Sequence, residues 1–273
     1  MRLGIFAKTF AGSDPGVVLG AARSAGYEMV QYNMACSGLP AMPDQIAPDV
    51  TAAIAAASRA TGVTLSAVSG TYNMIHPDPA VRQAGLRRLG VLIDAAADMG
   101  TGMVTLCTGT RDPHDQWRHH PDNATPSAWA DLLAEMARAV TLAEARGVRL
   151  GIEPELANVV SDAPAARRLL DQIASPSLAI VLDPANLFEQ APPEDRRAII
   201  ARAIDLLGDR IVMAHAKDRA PDGSFATVGT GVVDYPDFIA RLRAAGFDGD
   251  LVTHGLTAEE APGVARFLAE ICR

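Results

Sequence analysis

The feature that most constrains this chain is a unit that recurs from end to end. A short apolar run leads into a polar loop, and the loop leads into a longer amphipathic stretch. Eight runs carry the pattern: Leu3–Phe6, Met29–Tyr32, Thr64–Val68, Met103–Cys107, Arg149–Ile152, Leu178–Leu182, Ile211–Ala214 and Asp250–Thr253. They are short and several are rich in Val and Ile, as strands of a parallel sheet are when both faces are covered. The clearest helix is Ser127–Arg146, where Leu132, Leu133, Met136, Val140 and Ala143 share one face. Thr125-Pro126 opens it and Gly147 stops it. Helices are also expected over Asp162–Ile173, Pro193–Leu207, Asp234–Ala245 and Ala258–Ile271. The last has Thr257 three residues before Glu260, a capping-box spacing. The segments Ala25–Tyr27, Thr61–Val63, Met99–Met103, Arg146–Val148 and Ala245–Phe247 each place a glycine just after a helix, where it takes the left-handed turn.

Strands that alternate with helices make a parallel sheet. Eight such units in 273 residues fit one closed (β/α)8 TIM barrel, for which about 250 residues is typical. No break in composition divides the chain, so residues 1–273 read as a single α/β domain. The alternative is a doubly wound open parallel sheet, but no GxGxxG follows the first run to support it.

Charge and composition narrow the partners. With 24 Lys+Arg against 32 Asp+Glu the net charge is −8, which repels a phosphate backbone, so no nucleic-acid partner is expected. No apolar run approaches the ~20 residues that span a bilayer, and the N-terminus lacks the order of a secretory signal. Cys36, Cys107 and Cys272 are few, odd in number and widely spaced. That is no disulfide framework, and a reducing cytoplasm is expected.

In such barrels the chemistry sits where the strands end. The fifth run ends in Glu153-Pro154-Glu155, the sixth in Asp183-Pro184-Ala185-Asn186, the seventh in His215-Ala216-Lys217-Asp218 and the eighth in Thr253-His254-Gly255. Two carboxylates and two imidazoles at equivalent places on consecutive strands are a candidate divalent-metal site. Mixed oxygen and nitrogen donors suit Mn2+, Fe2+, Co2+ or Zn2+ better than Ca2+. Loop hydrogen bonding is the plainer reading of any one of these residues alone. The third run leads into a loop with Tyr72, Asn73 and His76, and the fourth into a long loop with Arg111, His114, Trp117, Arg118, His119 and His120. Long loops in compact domains are often functional. Trp117 reads as a platform for stacking a ligand or a plug between loop and barrel, and Arg111 as a ligand for a substrate oxygen or phosphate or a plain salt bridge. Cys107 reads as a small buried residue. Gly229–Gly231 reads as a turn into the next helix, since no P-loop pattern follows.

GIEPE at Gly151–Glu155, VLDPAN at Val181–Asn186, AHAKD at Ala214–Asp218 and the stretch Val228–Leu251 together resemble the xylose isomerase-like TIM barrels, the broad class of sugar phosphate isomerases and epimerases. The resemblance runs almost end to end. It implies a metal-dependent enzyme that works on a ketose, keto-sugar or sugar phosphate through a metal-stabilised enediolate. Glu153, Asp183 and His215 carry over as ligands of one divalent ion, most simply Mn2+, with Co2+, Zn2+, Fe2+ or Mg2+ as alternatives. His254 stands where the epimerases of the family have a ligating, catalytic glutamate. It keeps a donor but removes a carboxylate. Glu153, His254 and Lys217 are the expected catalytic groups. Asn73, His76, Arg111, Trp117, Glu155, Asn186 and Asp218 are the expected contacts of a small sugar or sugar derivative. The lost carboxylate leaves two other outcomes open: a lyase or dehydratase that eliminates from a keto-sugar or inosose-like substrate, or a barrel that binds sugar without turnover. A homo-oligomer is a further expectation of the resemblance.

Overall fold

A computed structural model describes all 273 residues. Strands β1 (Arg2–Phe6), β2 (Met29–Tyr32), β3 (Thr64–Ser69), β4 (Met103–Leu106), β5 (Arg149–Ile152), β6 (Leu178–Leu182) and β7 (Ile211–Ala216) follow one another with helices between them. A two-stranded hairpin, β8 (Asp218–Arg219) with β9 (Phe225–Ala226), interrupts the series before the last barrel strand, β10 (Asp250–Thr253). The helices are α1 (Pro15–Ser24), α2 (Pro48–Thr61), α3 (Pro79–Met99), α4 (Pro126–Glu144), α5 (Ala163–Ile173), α6 (Pro193–Leu207), α7 (Tyr235–Ala244) and α8 (Ala261–Ile271).

The sheet closes. β1 pairs in parallel with both β2 and β10, in register Ile5 with Val30 and Ile5 with Thr253, so the open doubly wound alternative is excluded. The eight expected strands all form, with ends that shift by at most two residues. The largest shift extends β7 through His215 to Ala216. Helix α8 starts at Ala261 rather than Ala258, because the capping box closes a turn ahead of it: Thr257 N donates to Glu260 Oε2 (2.8 Å) and Glu260 N to Thr257 Oγ1 (3.4 Å). The hairpin β8–β9 was not expected, since two-residue strands leave no periodicity to read.

Two cores result. The larger lies between barrel and helices and collects Val18, Leu19, Leu92, Leu132, Leu207 and Leu268 against the outward faces of the strands. The smaller fills the barrel with Ala67, Met103, Val181, Met213 and Val252. Gly151 and Gly4 belong to that inner layer. A Cβ on Gly151 would stand 2.8 Å from Val181. Side chains alternate along a strand, so the residue two positions further on points inward again, one layer nearer the C-terminal mouth. That next layer is polar on most strands: Gln31, Ser69, Thr105, Glu153, Asp183, His215 and His254. A packed apolar plug therefore forms the floor under a ring of chemistry-bearing side chains.

Candidate active site

Glu153 Oε, Asp183 Oδ and His215 ring nitrogen come within 4.8 Å of one another. Asp183 and His215 are about 1% exposed and the Glu153 side chain is 16% exposed. The local folds differ. Asp183 caps the single turn Pro184–Asn186, its Oδ1 accepting from Ala185 N at 2.8 Å. Its Oδ2 is buried with no partner. Asn186, on that same turn, donates from Nδ2 to Glu153 Oε1 at 2.8 Å, so the DPAN segment sets two of the three groups at once. His215 Nε2 lies 2.7 Å from Gln31 Oε1. Its Nδ1 lies 3.3 Å from Glu153 Oε1 without hydrogen-bond geometry and has no partner.

The donor set fits a divalent cation. Two buried donor atoms, Asp183 Oδ2 and His215 Nδ1, lack any hydrogen bond, and a carboxylate stands beside them. Buried polar groups are almost always paired, so an oxygen and a nitrogen left unpaired in one cluster point to a ligand. Electrostatics agree. Burial pushes the Asp183 carboxyl above its usual range, and Glu153 adds to this. Burial and Glu153 push Glu155 up to about 7. Desolvation raises Glu153 as well, yet His215, His254 and Lys217 outweigh that and hold it low. Burial disfavours charge on His215, but Glu153 and Asp183 outweigh it and raise the imidazole. A bound dication would displace that proton and offset the crowding of carboxylates.

Four donors were expected and three converge. His254 stands beside the cluster, its ring stacked between His215 (centroids 5.4 Å) and Phe6 (5.1 Å). Burial and the neighbouring His215 lower its pKa to about 4, so it is neutral at physiological pH. Its Nδ1 is buried without a partner. Lys217 holds its ammonium 3.5 Å from the ring centroid of Phe225, a half-exposed residue of β9, and lies near enough to Asp183 and Glu153 to lower both carboxyls.

The remaining expected contacts are placed differently. Asp218 is fully buried and both its oxygens go to backbone: Oδ1 accepts from Arg219 N (2.8 Å) and Val233 N (3.0 Å), Oδ2 from Gly229 N (3.0 Å) and Gly231 N (3.1 Å). It fills the glycine loop as an internal acceptor for backbone N–H groups. Arg111 is pinned by Asp131 Oδ2 (2.6 Å) and the Ile75 carbonyl (2.9 Å), which realises the salt-bridge alternative. Asn73 ties the loops after β3 and β4, its Oδ1 accepting from Ile75 N and Thr110 N. His76 engages both ring nitrogens, with the Pro113 carbonyl and Asp78 N. Trp117 is half exposed on the loop after β4. Cys107 is buried and its thiol is pushed well up by burial, so it is no ready nucleophile. Sequence reasoning missed Gln31 and Thr105. The signal was present: each lies two residues beyond an apolar inward position, in the same alternation as Glu153 and His215.

Fold and site together define a TIM barrel whose mouth carries a carboxylate–imidazole cluster on consecutive strands. The family model described as xylose isomerase-like TIM barrel matches residues 19–270, and the chain belongs to that family. No curated protein matches it significantly. Among solved structures it is similar to 3-keto-D-glucoside 4-epimerase YcjR from E. coli, at 15% identity and TM-score 0.78 over 99% of both chains. An L-ribulose 3-epimerase matches at 18% identity and TM-score 0.77, over 99% of this chain and 94% of the other. The IolI protein with a bound zinc atom matches at 15% identity and TM-score 0.74, over 100% and 98%.

Proposed function

We propose that this chain is a divalent-metal-dependent isomerase or epimerase of a keto-sugar. The observation that carries the reading is the convergence of Glu153, Asp183 and His215 with two buried donor atoms left unpaired. Family membership and neighbours that include two sugar epimerases support it. Glu153, Asp183 and His215 would hold the ion, with Mn2+ the first to test and zinc the ion found in one neighbour. When bound, the ion supplies Lewis acidity toward a carbonyl and its neighbouring hydroxyl.

The rest is done by this chain's side chains. Glu153, with Oε1 on Asn186, is the carboxylate placed to accept the proton from the carbon beside the carbonyl. His254, neutral and beside the cluster with Nδ1 free, is placed to take up a proton from a substrate hydroxyl, and Glu153, protonated in the first step, hands its proton back to carbon. Lys217 puts a positive charge near the developing oxyanion, a preorganised electrostatic contribution. The apolar floor of Met103, Val181, Met213 and Val252 closes the barrel below and excludes water there. Return of the proton to carbon gives isomerisation or epimerisation.

The test is metal content by mass spectrometry after Mn2+ loading and desalting, beside an Asp183→Ala control. One ion per chain in the wild type and none in the control is expected. Solvent-deuterium exchange into a panel of keto-sugars then reads the chemistry. A wild type that retains no ion, or a control that retains as much, overturns the reading.

A further inference from the structure

We infer that Gln31 is a positioning residue that fixes the proton of His215 on Nε2 and so presents the Nδ1 lone pair to the carboxylates. The inference deepens the metal reading above and rests on it only for its consequence in affinity.

The donors and acceptors in this buried space can pair in few ways. Gln31, Thr105 and His215 are all 5% exposed or less. No water-facing group is available to correct a wrong match, and a buried unpaired donor is costly. The neutral imidazole carries one N–H. On Nε2 it meets Gln31 Oε1 at 2.7 Å. On Nδ1 it makes no hydrogen bond: Glu153 Oε1, the nearest carboxylate oxygen, is 3.3 Å away without hydrogen-bond geometry. The carboxamide bridges the two groups: its Nε2 donates to Thr105 Oγ1 at 3.1 Å while its Oε1 faces the imidazole. Thr105 on β4, Gln31 on β2 and His215 on β7 thus form a chain of hydrogen bonds across the barrel. A histidine that ligates a metal almost always donates its other N–H to such an acceptor. Here the acceptor comes from a strand that contributes none of the proposed ligands.

The test uses Gln31→Leu, Gln31→Glu and Thr105→Val in the full chain. Leu keeps the bulk and removes the acceptor. Glu keeps an acceptor. Val keeps the shape of Thr105 and frees the carboxamide to rotate. The first readout is the ring-nitrogen NMR spectrum of 15N-histidine-labelled, metal-free protein, at a pH where the imidazole is neutral. The wild type and Gln31→Glu are expected to show a protonated Nε2 and a bare Nδ1. Gln31→Leu and Thr105→Val are expected to mix the two tautomers. The second readout is Mn2+ and Zn2+ affinity by competition with a chelating dye. Gln31→Leu should bind about 10- to 100-fold more weakly, Thr105→Val should fall between it and the wild type, and Gln31→Glu should restore binding. A wild-type spectrum with the proton on Nδ1 overturns the inference, as does unchanged affinity in both Gln31→Leu and Thr105→Val. If the wild type binds no metal, the functional reading fails while the spectrum still decides the role of Gln31. If Gln31→Leu does not fold, the Thr105→Val and Gln31→Glu spectra decide it.

Discussion

Asp218→Asn separates a structural aspartate from a substrate contact. The carboxylate takes four backbone N–H groups from the segment that follows β7. An asparagine oxygen can keep the Arg219 and Val233 donors, which places its NH2 against Gly229 N and Gly231 N. Two charge-assisted hydrogen bonds become donor-to-donor contacts, and each such bond contributes roughly 1.5–3 kcal/mol. Gly229 reaches solvent, so water recovers part of the loss, and a net cost of about 2–4 kcal/mol follows. For a domain of this size about 2–3 °C of melting temperature is lost per kcal/mol, or roughly 4–12 °C in all. Thermal unfolding followed by circular dichroism measures it on the metal-free protein. A variant that melts with the wild type while its turnover collapses would refute the assignment and return Asp218 to the substrate.

Two further outcomes are expected. Glu153→Gln should abolish exchange of substrate C–H with solvent deuterium, because a carboxamide cannot take the proton; full exchange in that variant would remove Glu153 as the base. His254 is protonated at about 4 when folded and near 6.5 when unfolded, so the unfolded chain binds the extra proton between those values. Stability therefore falls as pH drops through that window, and this one group accounts for about 2 kcal/mol between pH 7 and pH 5. Urea unfolding of metal-free wild type and His254→Phe at both pH values should show the smaller loss in the variant, and parallel losses would sink the argument.

The eight strands and their helices were legible because apolar periodicity and glycine stops are local properties of the chain. The side of the barrel on which the candidate cluster gathers was legible too, since Glu153, Asp183, His215 and His254 sit at equivalent places in successive runs. The site's finer arrangement was not. The residue pair Lys217-Asp218 shows why. One side chain lies against Phe225 beside the cluster, and the next turns into the glycine loop, although they are adjacent in sequence. Arg111 likewise offered a substrate contact or a salt bridge with equal force until α4 brought Asp131 within 2.6 Å.

What the sequence by itself determined is the list of inward positions, because strand alternation has a fixed period of two and tells which residues share a face. What only the tertiary structure decided is which of those residues meet. Gln31 and His215 are 184 positions apart and hydrogen-bond because barrel closure sets β2 and β7 across one narrow interior. His254 keeps the expected strand-end place, yet packing between Phe6 and His215 sets it beside the three converging donors. Closure, register and rotamer are properties of the packed barrel, and distances between side chains exist only once all three are fixed.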